Sequence, residues 1–274
     1  MKKSLIAVAV ALSIGIPAVP VHAGLFDGFF NWLSDAFSSK LKQRKKDQAL
    51  ETKGTAVNQS ERSAIANQIM PDQYGAYRKG KQCWGKSCMT ADIMNKVSSR
   101  HGTLYYVLAS DENAQAYDLY ALKQVNGRYK VLSKMHHQGM GISGDGMFIR
   151  LGNDLFGWNI MSGDKGQSTL MEDYFVVQDE QIRHVASIQE FGRSKPSGTA
   201  NIYSGDLKMG RSSGSAFYPI NVTVKGVENA KVSCATCEPR GGKKIPTKTY
   251  VFEYDQQTGR YQMPAGYPMT KTRF

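Results

Sequence analysis

Four cysteines are the residues of this chain with the widest chemical range: Cys83, Cys88, Cys234 and Cys237. Their spacings, Cys-x4-Cys and Cys-x2-Cys, suit three chemistries. Four thiolates can close a tetrahedral zinc site. Cys234-Ala235-Thr236-Cys237 has the spacing of a redox pair. An even cysteine count in an oxidising compartment supplies two structural disulfides. No βαβ pattern surrounds the Cys-x2-Cys pair, and the export leader described below favours the oxidising case. The expectation is therefore two disulfides and no metal or other cofactor. Three connectivities are open. Two local bridges, Cys83–Cys88 and Cys234–Cys237, are preferred to a cross-linked arrangement that would close a far longer loop.

Nucleophilic catalysis needs a nucleophile and a base held together. Beyond the leader, the histidines are His101, His136, His137 and His184. Gly210-Arg211-Ser212-Ser213-Gly214 fits Gly-x-Ser-x-Gly, but it sits in a Ser/Gly-rich stretch with no following helix. Gly141-Ile142-Ser143-Gly144-Asp145 ends in Asp145 where that motif needs glycine. His136 and His137 are adjacent, and neighbours on a strand face opposite ways, so they cannot share a metal there. His184 reads as a packed or surface residue on a strand. Glu172-Asp173 and Asp179-Glu180 read as turn and edge carboxylates. No phosphate loop or dinucleotide fingerprint occurs. No catalytic residue is assigned, and the reading leans toward a non-catalytic protein.

The elements around these residues begin with an export signal, residues 1–23. Lys2 and Lys3 give a positive start, residues 5–19 are apolar and uncharged, and Val21-His22-Ala23 places small residues at −3 and −1. The apolar run is too short to span a bilayer and is interrupted by Pro17 and Pro20. The expected product is periplasmic or secreted, soluble or peripherally bound to a membrane. The formal charge is +12; less the two leader lysines, it is +10. A basic exported chain is drawn to anionic membrane, lipopolysaccharide or an acidic envelope protein. No nucleic-acid motif is present, and nucleic acid is not an expected partner.

Residues 24–50 carry the sharpest pattern. At 100° per residue, Leu25, Phe26, Phe29, Phe30, Trp32, Leu33, Ala36 and Phe37 fall on one half of a helical wheel. Asp27, Gly28, Asn31, Ser34, Asp35, Ser38 and Ser39 fall on the other. Lys40, Lys42, Arg44, Lys45 and Lys46 follow, so acids come early and bases late, matching the helix dipole. Such a face must be covered, by the protein itself or by a partner or membrane interface. The expectation is a docking helix with a basic tail.

Residues 51–100 read as a polar helical and loop region. One helix starts at Ser60-Glu61 and ends before Pro71, and a short one covers 91–97. Residues 101–274 read as an antiparallel β domain, a meander closed as a sandwich or barrel. Strands are expected at 103–108, 117–125, 128–134, 147–151, 156–161, 170–177, 182–188, 201–203, 217–224, 249–254 and 260–263. Asn126-Gly127 is the strongest hairpin signal. Residues 192–215 and 238–247, rich in Gly, Ser and Lys, are expected to be largely surface loop. Arg193–Lys195 and Arg240–Lys244 are the candidate basic recognition loops. Three Ser-Gly-Asp copies, at Ser143, Ser162 and Ser204, read as turn punctuation because their spacing is unequal.

The function these features favour is an exported, non-catalytic cell-envelope binding protein of inhibitor, immunity or assembly-factor type. The alternatives are an envelope hydrolase acting on peptidoglycan or polysaccharide, and a membrane-active secreted toxin. The hydrolase requires His136, His137 or His184 to meet Asp145, Glu172 or Asp173 in a cleft.

Overall fold

The computed structural model describes residues 54–69, 81–84, 87–99, 102–111, 116–139, 142–164, 169–195, 197–211, 215–233, 237 and 239–269. The leader, the 24–50 segment and Cys234 lie outside them. In chain order the elements are β1 (Thr55–Ala56), α1 (Gln59–Ile69), β2 (Lys81–Trp84), β3 (Ser87–Ser99), β4 (Gly102–Asp111) and β5 (Ala116–Val125). Then come β6 (Arg128–Gln138), β7 (Ile142–Arg150), β8 (Phe156–Asp164), β9 (Thr169–Gln178) and β10 (Gln181–Arg193). The last are β11 (Gly198–Met209), β12 (Ile220–Val232), β13 (Lys243–Lys244), β14 (Lys248–Asp255) and β15 (Arg260–Gln262). The protein is mainly β, and among the described residues every strand pairing is antiparallel.

Local chemistry explains the punctuation. Asn126 and Gly127 both take positive φ (50° and 76°), as the tight turn between β5 and β6 requires. Asn58 caps α1: its Oδ1 accepts from the Glu61 amide at 2.9 Å, while Glu61 Oε2 accepts from the Asn58 amide at 3.2 Å. Glu61 then accepts two hydrogen bonds from Lys96 Nζ, at 2.8 and 2.9 Å, which ties the helix start to β3.

The strands form two sheets. The smaller has the order β1-β3-β4-β5-β6 with β2 also beside β3; the larger has the order β15-β14-β12-β11-β10-β9-β8-β7 with β13 beside β12. Alternation along β4 and β5 sends Tyr105, Val107, Ala109, Tyr120 and Leu122 into one core with Ile65, Ala66 and Ile69 of α1. Their neighbours Tyr106, Leu108, Tyr117, Leu119 and Ala121 enter a second core with Phe148, Phe156, Trp158, Ile160 and Phe175 of the larger sheet. Each large side chain fully buried there contributes about 1.5–3 kcal/mol. Burial on both faces explains why β5 reads as nearly continuous apolar sequence.

The larger sheet also curls on itself. Val185 and Ile188 of β10, Ile220 and Val222 of β12, Phe252 of β14 and Tyr261 of β15 share a third core. The curl stops short of closure: β15 ends the sheet and is not paired with β10. Of the expected sandwich or barrel, a closed barrel is not formed, because the end strands β7 and β15 are not paired with each other among the described residues.

Several local expectations are corrected. Residues 91–97 lie inside strand β3 rather than in a short helix, since Ala91 and Met94 enter the α1 core while the strand pairs with β4. Half of the supposed loop 192–215 is strand β11, held by a long ladder to β12. All three Ser-Gly-Asp copies lie in strands β7, β8 and β11, not in turns. At Gly205 the reason is steric: a Cβ would sit 2.8 Å from the Val222 side chain.

Candidate functional site

Strand β10 carries an irregularity that gathers polar residues. Simple alternation would put His184 and Ser187 on opposite faces. A register shift between His184 and Ala186 leaves Val185 as an extra residue, so His184 sits opposite Phe175 and Ser187 opposite Asp173. Phe175 and Asp173 share one face of β9, and His184 and Ser187 therefore share it too. The smaller sheet adds His137 from β6 to the same place.

Asp173 is the hub, its side chain only 10% exposed. The Ser187 hydroxyl donates to Oδ1 through a short hydrogen bond. His184 Nε2 lies 3.3 Å from Oδ1, and His137 Nε2 lies 3.2 Å from Oδ2. Ser187 Oγ is also 3.1 Å from His184 Nε2. The two imidazoles stack with centroids 6.5 Å apart, and each packs on Phe175 at 5.0 Å. Burial works to raise the Asp173 pKa, but the contacts from His137, His184 and Ser187 outweigh it and hold the carboxyl far below its usual range. The carboxylate is thus ionised and clamps the two sheets together. Nearby, Ser133 Oγ of β6 accepts from the Ile182 amide of β10 at 3.1 Å, reinforcing the same junction.

The cluster meets the first requirement of a hydrolase, since His137 and His184 converge on Asp173. It does not form a relay. A serine–histidine–carboxylate relay uses one imidazole nitrogen for the serine and the other for the carboxylate. Here the same His184 nitrogen faces both, and the serine proton already points at Asp173. Among the described residues no group of three His, Cys, Asp or Glu is arranged to hold a metal ion.

Beside this cluster lies a cleft of about 580 Å³ between β10 and the β14–β15 hairpin. His184 and Ser187 line one wall; Thr258, Arg260 and Gln262 line the other.

His136 turns the opposite way from His137, as strand geometry demands. Its Nδ1 lies 2.9 Å from Asp118 Oδ1 on the outer edge, where Lys134 Nζ also reaches Oδ2 at 3.0 Å. Burial pushes the Asp118 pKa up, and His136 and Lys134 bring it below the usual value.

The sequence pattern also misread two carboxylates. Glu172 and Asp173 are interior to β9, at 1% and 7% exposure, not turn residues. Glu172 Oε2 accepts from the Tyr174 hydroxyl at 2.6 Å and from Asn159 Nδ2 at 3.1 Å. The available signal was their position inside an otherwise apolar run, Leu170 to Val177. Asp179-Glu180 does form a turn.

The two basic segments come together. Arg193 Nη2 donates to the Cys237 carbonyl at 2.8 Å, joining the β10–β11 connection to the stretch before β13. Arg193 itself is buried at 8%, which removes it from the expected recognition surface, and burial lowers its pKa. Lys195, Lys231, Arg240, Lys243 and Lys244 are exposed around that junction, and none is ion-paired among the described residues. Lys231 and Arg240 are bound backbone to backbone at 3.0 and 2.9 Å. Glu228, opposite Lys243 on β12, accepts from the Tyr203 hydroxyl at 3.4 Å.

Of the cysteines, Cys83 and Cys88 stand directly opposite each other in the β2–β3 ladder. The docking residues Leu25, Phe26, Phe29, Phe30, Trp32, Leu33, Phe37, Lys40, Lys42, Arg44, Lys45 and Lys46 lie outside the described residues. The chain matches no protein-family model, no curated protein and no solved structure.

Proposed function

We propose that this is an exported, non-catalytic binding protein of the cell envelope that attaches to an anionic surface. The observation that carries the reading is the exposed group Lys195, Lys231, Arg240, Lys243 and Lys244, assembled from separate segments and free of ion pairs among the described residues. Cations left unneutralised on a rigid sheet edge attract phosphorylated lipid headgroups at about 1 kcal/mol per residue near the surface. The leader at 1–23 supports delivery to the periplasm or medium. The described residues contain no helix long and apolar enough to cross a membrane.

In this reading the 24–50 helix supplies a second attachment. Its aromatic face inserts at an interface while residues 40–46 meet negative charge. Phe29→Asp combined with Phe37→Asp is expected to move the protein from the envelope fraction to the soluble fraction of lysed cells, with the β domain's thermal midpoint unchanged. A fall in that midpoint with unchanged fractionation would instead make the helix part of the core.

Two disulfides complete the proposal. The direct opposition of Cys83 and Cys88 supports the first, because cross-strand partners of a ladder lie within bridging reach. The mass of the non-reduced mature protein is expected to fall by about four hydrogens against the thiol form. Four titratable thiols, or a bound zinc, would refute this.

A further inference from the structure

We infer that the cleft between β10 and the β14–β15 hairpin is a binding site for a neutral, hydroxyl-bearing ring of monosaccharide size. The cleft of about 580 Å³ falls within the roughly 300–1,000 Å³ usual for a small-molecule site. β10 and β15 come within 8 Å of each other between Cα atoms. A further strand needs about 4.8 Å on either side, so no chain fits between them and the occupant is a small molecule.

The first observation is the free nitrogen of His184. A carboxylate only accepts, so the proton of the neutral His184 ring sits on Nε2, 3.3 Å from Asp173 Oδ1 and 3.1 Å from Ser187 Oγ. Ser187 gives its own proton to Asp173 and accepts from the ring. Nδ1 is therefore a lone-pair acceptor. It has no partner among the described residues, it is not sealed from solvent, and its ring lines the cleft.

The second observation is Gln262 on the opposite wall. Its Nε2 donates to Thr258 Oγ1 at 2.7 Å and to Asp255 Oδ2 at 3.4 Å. Asp255 can only accept, which fixes the orientation of the amide. Gln262 Oε1 is then a second acceptor with no partner among the described residues.

Two acceptors on facing walls call for a ligand that donates hydrogen bonds from two sides. Charge narrows the class. No Asp or Glu lines the cleft, so an ammonium has no anion to meet. Arg260 stands opposite Asp255 in the β14–β15 ladder, so its charge is answered within the hairpin and does not select an anion. Neutral hydroxyls remain, each able to donate to one acceptor. Ile188, Phe252 and Met263 supply apolar surface for the C–H faces of the same ring. The site shares no residue with the basic face, and the two readings stand or fall independently.

The probes are the methyl glycosides of glucose, galactose and mannose, with glucuronate and glucosamine as charged counterparts. Binding to the full mature chain is followed by NMR of nitrogen-labelled histidine rings. Without ligand, His184 is expected to show the Nε2–H tautomer. At least one neutral glycoside should bind saturably with millimolar affinity, shifting the His184 Nδ1 resonance and leaving that of His136 unmoved. The charged rings should bind at least fivefold more weakly. Gln262→Leu, on an exposed side chain, should weaken binding about fivefold, the scale of one neutral hydrogen bond, with the thermal midpoint unchanged. An Nδ1–H tautomer at His184, or no shift with any of the three glycosides, would overturn the site. Equal binding of the charged rings would overturn the selection for a neutral ligand, and unchanged binding by Gln262→Leu would overturn the two-acceptor arrangement.

Discussion

At the scale of single residues, Asp173 ties the two sheets together. It is an ionised carboxylate almost sealed from water, held by two imidazoles and a hydroxyl from two strands, β6 and β10. Its pKa lies well below the unfolded value of about 3.9, so the folded state holds on to the anion. The sign follows directly. The stabilisation is fully present above about pH 4 and is lost as pH falls below that value toward the depressed folded pKa. Asp173→Asn is expected to cost about 2–3 kcal/mol at neutral pH, the scale of hydrogen bonds to a charged group. It should also flatten the fall in stability between about pH 4 and 2. Urea unfolding of both proteins across that range checks this. An unchanged acid slope would mean that another carboxylate governs acid unfolding.

Elements were legible in the sequence where one physical signal dominated. The Asn126-Gly127 turn could be read because two positive φ angles leave little other choice of residue. The start of α1 could be read because Ser60-Glu61 and the later Ile65 and Ile69 have helical spacing. Residues 91–97 could not, because Ala91, Met94 and Val97 also fit a helix, and only pairing with β4 decides for a strand. Strand β11 was hidden by its Gly and Ser content, since Gly205 is there to let Val222 approach and not to make a turn. The His–Asp–Ser cluster was hidden for a similar reason. It depends on one extra residue, Val185, which shifts the face of β10 and leaves no trace in composition.

One element carries avoidable strain. The β9–β10 turn holds Asp179 and Glu180 at φ 52° and 60°, a region costing non-glycine residues about 1–2 kcal/mol. Glu180 gains little in return, as its ion pair with Lys123 is 3.5 Å long and Glu180 is 55% exposed. Glu180→Gly is expected to stabilise the protein by about 0.5–1 kcal/mol, seen as a higher thermal midpoint. A lower midpoint would show that the Lys123 contact outweighs the backbone strain.

For the molecule as a whole, two sheets share one core and meet again at a polar clamp, while the smaller sheet packs α1 over another core and the larger sheet curls around a third. The basic face gathers where Arg193 meets the stretch before β13, and the larger sheet stays open between β10 and β15. The sequence showed the charge, and it named Arg193–Lys195 and Arg240–Lys244 as separate loops. Only the fold shows that the loops touch and that Arg193 is the buried fastener between them. The proposed attachment through that face is electrostatic, and so is screened by salt.

The most direct measurement is co-sedimentation of the mature protein with vesicles of phosphatidylglycerol and phosphatidylcholine at two salt concentrations. The comparison is Arg240→Glu with Lys243→Glu and Lys244→Glu, all on exposed side chains. The account predicts binding to the anionic vesicles that weakens at least tenfold in the triple variant and falls steeply between low and high salt, with no binding to phosphatidylcholine alone. Equal binding of the variant and the parent, or binding indifferent to both salt and lipid charge, would contradict it.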